Sequence, residues 1–170
     1  MKTAMLLSLG LLAGAIGSVR ADEQRIKMEE LPKAVTAAIK DKFPDGRLTK
    51  AEKEVEDGKT TYEVTVEAGA KKLDVVASPA GVILAIEKKI DAKNLPEPVA
   101  AAIKVRHPTA RVKSAEEVVE FKAAGEETVY EVTLGLEGKE VELTVSPKGR
   151  ILKEEGDEEE DEKPADAPKG

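Results

Sequence analysis

The sequence predicts an α+β protein of two tandem modules, each one helix packed on a three- to four-stranded antiparallel sheet. Three observations lead there: the chain repeats itself, each copy opens with an apolar stripe at helical spacing, and alternating runs broken by turn residues follow. Leu31 to Lys40 recurs as Leu95 to Lys104, an offset of 64 residues, and Pro44, Arg47, Ala51 and Glu52 recur as Pro108, Arg111, Ala115 and Glu116. The offset becomes 68 where Tyr62-Glu63-Val64-Thr65 recurs as Tyr130-Glu131-Val132-Thr133, and Ser78-Pro79-x-Gly81 and Ser146-Pro147-x-Gly149 keep it. Four extra residues therefore lie between the first two strands of the second copy, near Phe121 to Glu127. The modules are placed at residues 22–90 and 91–153.

In each copy the helix comes first. Leu31, Val35, Ala38 and Ile39 share one stripe, as do Leu95, Val99, Ala102 and Ile103. Pro32 and Pro96 suit the first turn, where a missing N–H costs no helical hydrogen bond. Phe43-Pro44 and His107-Pro108 end the helices, because a residue before proline avoids the α region. Asp57-Gly58, Gly69, Gly138, Pro79-Ala80-Gly81 and Pro147-Lys148-Gly149 then mark turns between strands. The last strand of each copy, near Val82 to Glu87 and Arg150 to Lys153, mixes both parities.

Alternation assigns the faces. Tyr62, Val64, Val66, Leu73, Val75 and Ala77 point one way, and Tyr130, Val132, Leu134, Val141, Leu143 and Val145 do the same in the second copy. Thr61, Glu63, Thr65, Glu67, Asp74 and Val76 point the other way, as do Glu131, Thr133, Glu140, Glu142 and Thr144. One helix covers one face, so the Thr- and Glu-rich face is expected to stand open to solvent or to a partner. Its candidate binding residues are Glu63, Thr65, Asp74, Glu131, Thr133 and Glu142. A module of about 65 residues buries only about 60% of its unfolded surface, so the two copies are expected to act as a pair across a link at Lys88 to Asn94.

The chain ends differ from this body. Met1-Lys2, an apolar run from Ala4 to Ile16 and small residues near Ala21 have the plan of a secretory signal peptide, residues 1–21, with cleavage between Ala21 and Asp22. That run is shorter than the roughly 20 residues that span a bilayer, so no stable membrane insertion is expected after cleavage. Residues 154–170 carry nine carboxylates against Lys163 and Lys169 and little that is apolar, which reads as an acidic disordered tail. This tail concentrates oxygen ligands suited to weak calcium binding, without the spacing of an EF-hand loop.

Composition removes whole classes of function. Of 170 residues none is cysteine or tryptophan and one is histidine, which excludes disulfides, zinc fingers, thiol nucleophiles and His-rich metal sites. The formal charge of −7 and the lack of a basic patch exclude a nucleic-acid footprint. A serine triad fails because His107 is the only histidine and Ser78 and Ser146 sit before turn prolines. His107, aligned with Phe43, reads as a ring closing the core beside Pro108, or as a pH-sensitive contact. No Gly-rich phosphate loop is present, so neither a catalytic set nor a cofactor is expected.

The order Leu-Pro-x-x-Val, a Phe43-Pro44 or His107-Pro108 helix end, a hairpin, Tyr-Glu-Val-Thr and a Pro-x-Gly turn resembles the PepSY-like domain family, related to the β-lactamase inhibitory protein fold. The resemblance spans residues 28 to 155, twice over. It implies an exported bacterial protein, periplasmic or secreted, that binds a protein or peptide in the cell envelope and inhibits or modulates an enzyme. This sequence brings no peptidase domain, no disulfides and few aromatics to that role. Its open face offers Thr and Glu where tight interfaces are usually anchored by Tyr, Trp or Arg. The alternative function from sequence is cation binding or sensing through the acidic tail.

Overall fold

The computed structural model describes residues 22–56, 58–136 and 138–156. Strand β1 (Asp22–Ile26) leads through a 3-10 turn (Met28–Glu30) into helix α1 (Lys33–Lys42), followed by β2 (Arg47–Glu56), β3 (Lys59–Ala68), β4 (Lys71–Ala77) and β5 (Ile83–Ile90). A second 3-10 turn (Ala92–Asn94), α2 (Glu97–Arg106), β6 (Arg111–Lys122), β7 (Gly125–Leu136), β8 (Lys139–Val145) and β9 (Ile151–Gly156) repeat the plan. The signal-peptide residues 1–21 and most of the acidic tail, residues 157–170, lie outside the described residues. Glu154, Glu155 and Gly156, which the sequence reading gave to the tail, complete β9.

The expectation of two separate helix-on-sheet modules is corrected here. Among the described residues the strands form one antiparallel sheet of nine in sequence order, β1 through β9, with two short α-helices and well over half of those residues in strand. The reason lies in β5. At the offset of 64, residues 86–90 correspond to 22–26, and Ile90 corresponds to Ile26. β5 is thus the last strand of the first copy and the counterpart of β1 for the second. Residues 88–90, expected in the link, extend the strand expected at Val82 to Glu87, and β1 has no counterpart among the expected strands.

The chain divides into two compact units between Lys89 and Ile90, with Glu116–Thr128 belonging to the first. In the first unit Leu31, Val35 and Ile39 are buried on Ala51, Val64, Val66, Val75 and Ala77, ringed by Ile26, Phe43, Tyr62, Ile83 and Ile86. In the second, Leu95, Val99 and Ile103 are buried on Ala115, Tyr130, Val132, Leu134, Leu143 and Val145, with Ile90 and Ile151 alongside. These are the apolar stripes that periodicity assigned. Pro32 and Pro96 stand one residue earlier than expected, as N-caps, and their carbonyls accept the first helical bonds from Thr36 and Ala100. Ten-residue helices are marginal alone, so burial of Val35, Ile39, Val99 and Ile103 holds them.

The four extra residues lengthen the second hairpin, since β6 and β7 have 12 residues each where β2 and β3 have 10. Near its tip Phe121 reaches the end of α1, where Lys42 Nζ lies 4.6 Å from the ring centre. The mixed parity of the last strands comes from register shifts: the β4–β5 ladder steps at Val76 and Ala77, and the β8–β9 ladder at Thr144 and Val145.

The Ser-Pro-x-Gly turns dock on the helix starts. Ser78 and Ser146 close the turns, their hydroxyls accepting from the backbone N–H of Val82 and Arg150 at 3.2 and 3.1 Å. Gly81 has φ 82° and Gly149 φ 80°. A Cβ at Gly81 would stand 2.5 Å from the Ala34 carbonyl oxygen, and one at Gly149 would press equally on that of Pro98. Gly81→Ala and Gly149→Ala are each expected to lower stability by about 1–3 kcal/mol, through left-handed strain and this contact, as read by urea denaturation. Gly58→Ala, at φ 74° with nothing within 4 Å, is the control that carries the strain alone.

Candidate functional site

The helix-free face is built by the same alternation that builds the cores. Where Tyr62, Val64 and Val66 turn toward α1, Glu63 and Thr65 turn away. Cross-strand register then carries the polar set sideways: Glu52 opposes Glu63, Thr65 opposes Asp74, and Asp74 opposes Glu87. In the second copy Thr133 opposes Glu142, which opposes Glu155.

Both repeats place carboxylates at the same positions. Glu23, Glu52, Glu63, Asp74 and Glu87 correspond, at offsets of 64 and 68, to Glu87, Glu116, Glu131, Glu142 and Glu155, with Glu87 counted in both because β5 is shared. Every strand from β1 to β9 thus contributes a carboxylate to this set, and Glu54, Glu67 and Glu140 add second ones on β2, β3 and β8. The sequence reading named Glu63, Asp74, Glu131 and Glu142 and missed Glu23, Glu52, Glu87, Glu116 and Glu155. Extending the repeat alignment one acid at a time is the signal that finds them.

The face is less wet than alternation alone implies. Thr65 and Glu116 keep only 3% of their exposure and Glu131 keeps 5%, while Glu52, Glu87 and Thr133 are also buried. Val76, Ala85, Val118 and Val129 are buried as well, and Val76 and Ala85 oppose each other across β4 and β5 on this face. Glu63, Asp74 and Glu142 are half-buried. The Thr65 hydroxyl donates to Asp74 Oδ1 at 2.5 Å, and Ser114 donates to Thr133 Oγ1 at 2.9 Å.

Burial and like charge act together on the acids. Burial, with Asp74 and Glu52 nearby, pushes the Glu63 carboxyl up to about 7 against the pull of Lys50. Burial also raises Glu116, in spite of Lys89 with Nζ 3.8 Å from its Oε1. Burial and a hydrogen bond with Glu52 raise Glu23. Two further counter-charges lie beside acids of the set: Lys50 pairs with Glu52, and Lys153 lies 2.6 Å from Glu155. Among the described residues no three Asp, Glu or His side chains converge to hold a metal ion. What the arrangement offers chemically is a row of partly desolvated carboxylates ready for positive charge.

His107 lies elsewhere, at the end of α2, where its Nε2 is 3.0 Å from Glu154 Oε1. It stands beside Pro108 as the sequence reading had it, and its partner is a carboxylate.

Residues 32–94 match the family model described as "Peptidase propeptide and YPEB domain", PepSY, and residues 83–153 match "Putative beta-lactamase-inhibitor-like, PepSY-like". The chain belongs to the PepSY-like family, in two tandem copies. The two PepSY-like matches overlap at residues 83–94, which contain β5, the strand that both repeats share. Solved structures share the fold of the tandem. A DUF2874 family protein from Bacteroides ovatus is 16% identical with a TM-score of 0.60, covering 74% of this chain and 86% of its own. A BLIP-like protein from Bacteroides fragilis is 22% identical with a TM-score of 0.57, covering 76% and 89%. A protein from Bacteroides eggerthii described as a "putative periplasmic" protein is 14% identical with a TM-score of 0.59, covering 74% and 88%. No curated protein matches the PepSY-like chain. No helix among the described residues is long and apolar enough to cross a membrane.

Proposed function

We propose that this PepSY-like tandem is an exported, non-enzymatic module that seats a basic, extended segment of an envelope or secreted protein across the helix-free face of its sheet. The observation that carries this reading is a set of carboxylates to which every described strand contributes at least one, at matching positions in both copies. Like charges opposed across a ladder, as at Asp74–Glu87 and its counterpart Glu142–Glu155, destabilise a sheet. A fold that breaks a local rule twice over, at matching places, marks the positions where function outweighs stability. A Lys- or Arg-rich segment would supply the missing charge. The matched families are described by a peptidase propeptide and a β-lactamase inhibitor, both roles defined by a second protein, and the periplasmic description of the eggerthii relative supports export.

The test is affinity capture from an envelope extract with three versions beginning at Asp22: the full chain, a chain ending at Gly156, and Glu63→Lys with Glu142→Lys. One abundant protein held by the first two and reduced at least tenfold in the third, with the variant's circular dichroism unchanged, is the expected result. Unchanged capture by the folded charge-reversed variant overturns the assignment of this face. Recovery only when residues 157–170 are present overturns it in favour of the acidic segment.

A further inference from the structure

We propose that β9 is a releasable strap, held on the second repeat by a polar latch where the first repeat uses apolar packing. The internal repeat supplies the comparison. Phe43 and Ile86 pack against the core of the first unit. Their counterparts at offsets 64 and 68 are His107 and Glu154. Glu154 opposes Leu143 on β8 as Ile86 opposes Val75 on β4, so an acid occupies a position that faces a core.

That acid is kept there by two residues at the end of α2. Arg106 Nε donates to Glu154 Oε2 at 2.8 Å, and His107 Nε2 lies 3.0 Å from Glu154 Oε1. The hydrogen bond from Arg106 is the leading reason that the Glu154 carboxyl sits below its ordinary range. In the first repeat the residue equivalent to Arg106 is Lys42, which is engaged instead with the Phe121 ring. The pair of exchanges, Phe to His and Ile to Glu, is therefore matched across 47 residues of chain by a direct contact.

Position in the sheet gives the latch its consequence. β5 lies between β4 and β6, whereas among the described residues β9 is the last strand and pairs with β8 alone. An ion pair with one partner more than half exposed is screened by salt, which packed aliphatic side chains are not. Letting go of the latch frees β9 together with Glu155, the last carboxylate of the row, and bares the outer edge of β8.

Hydrogen exchange of the full chain, read by mass spectrometry at 0.05 and 1 M sodium chloride, tests this. The β9 amides are expected to exchange faster than those of β5, and the higher salt to speed β9 by about two- to fivefold, the range an exposed ion pair supplies, while β5 stays as it was. Combining His107→Phe with Glu154→Ile, which recreates the first repeat's pair, is expected to slow β9 and remove its salt response. Glu154→Gln, which keeps the shape and removes the charge, is expected to speed β9 and remove the salt response, and serves if the double variant does not fold. Equal protection of β9 and β5 in the parent chain, or a salt response that survives in Glu154→Gln, overturns the proposal.

Discussion

Glu63→Gln is expected to be more stable than the parent chain at pH 8, by about 2–4 kcal/mol, and equal to it near pH 4. In the folded protein burial and the neighbouring Asp74 and Glu52 move the Glu63 carboxyl from an ordinary value near 4.5 up to about 7. Between those two values the folded chain binds more protons at this site than the unfolded chain does. Stability attributable to Glu63 therefore falls as pH rises through that window, the reverse of a salt-bridged acid. Below about 4.5 the group is neutral in both states and costs nothing. Above about 7 it is charged in both and the full desolvation and repulsion are felt. A glutamine has the shape without the charge and removes the whole dependence. Urea denaturation of both proteins at pH 4, 6 and 8 measures it, and a difference that is the same at all three values would show that charge at Glu63 is not the cause. Occupation of the face by a basic segment would give the parent chain the opposite shift, since the counter-charge favours the ionised acid.

How much of this was legible in the sequence depended on whether the signal was local. The two cores were, because Val35, Ile39, Val64 and Val75, and their counterparts, follow helical and strand periods that any burial must respect. The turn roles of Ser78 and Ser146 were legible for the same reason. The single sheet was not. It turns on Asp22 to Ile26 pairing with β2, and that short run, Asp-Glu-Gln-Arg-Ile, has one apolar residue and no strand alternation to betray it. The end of its counterpart, residues 88–90, reads as the start of a link because the register shift at Val76 and Ala77 scrambles parity just before it. The site was half legible. Alternation placed Glu63, Thr65, Asp74, Glu131, Thr133 and Glu142 on one face, but burial of Thr65 and Glu131 arises from neighbours on adjacent strands, which one strand's pattern does not contain.

Ile39→Ala is expected to cost about 2–5 kcal/mol, since Ile39 is fully buried and its loss leaves a cavity beneath α1. The more informative expectation is where protection is lost. β6 and β7 each have one part in the first unit and one part in the second, because Glu116–Thr128 belongs to the first. A strand does not keep half of its ladder at low cost when the other half opens, since the freed N–H and C=O groups at the break must find new partners. Damage beneath α1 should therefore reach Ala115 and Val129 through the backbone of these two strands. Hydrogen exchange of Ile39→Ala is expected to show faster exchange along the whole of β6 and β7, as well as in β2 to β4, with a single urea transition shifted to lower concentration. Two separated transitions, with residues 129–145 as protected as in the parent chain, would mean that each repeat folds on its own and that β5 joins two independent units. The same measurement on Ile103→Ala, buried beneath α2, gives the reciprocal reading: loss of protection spreading back through Glu116–Thr128 is the outcome that a shared pair of strands requires.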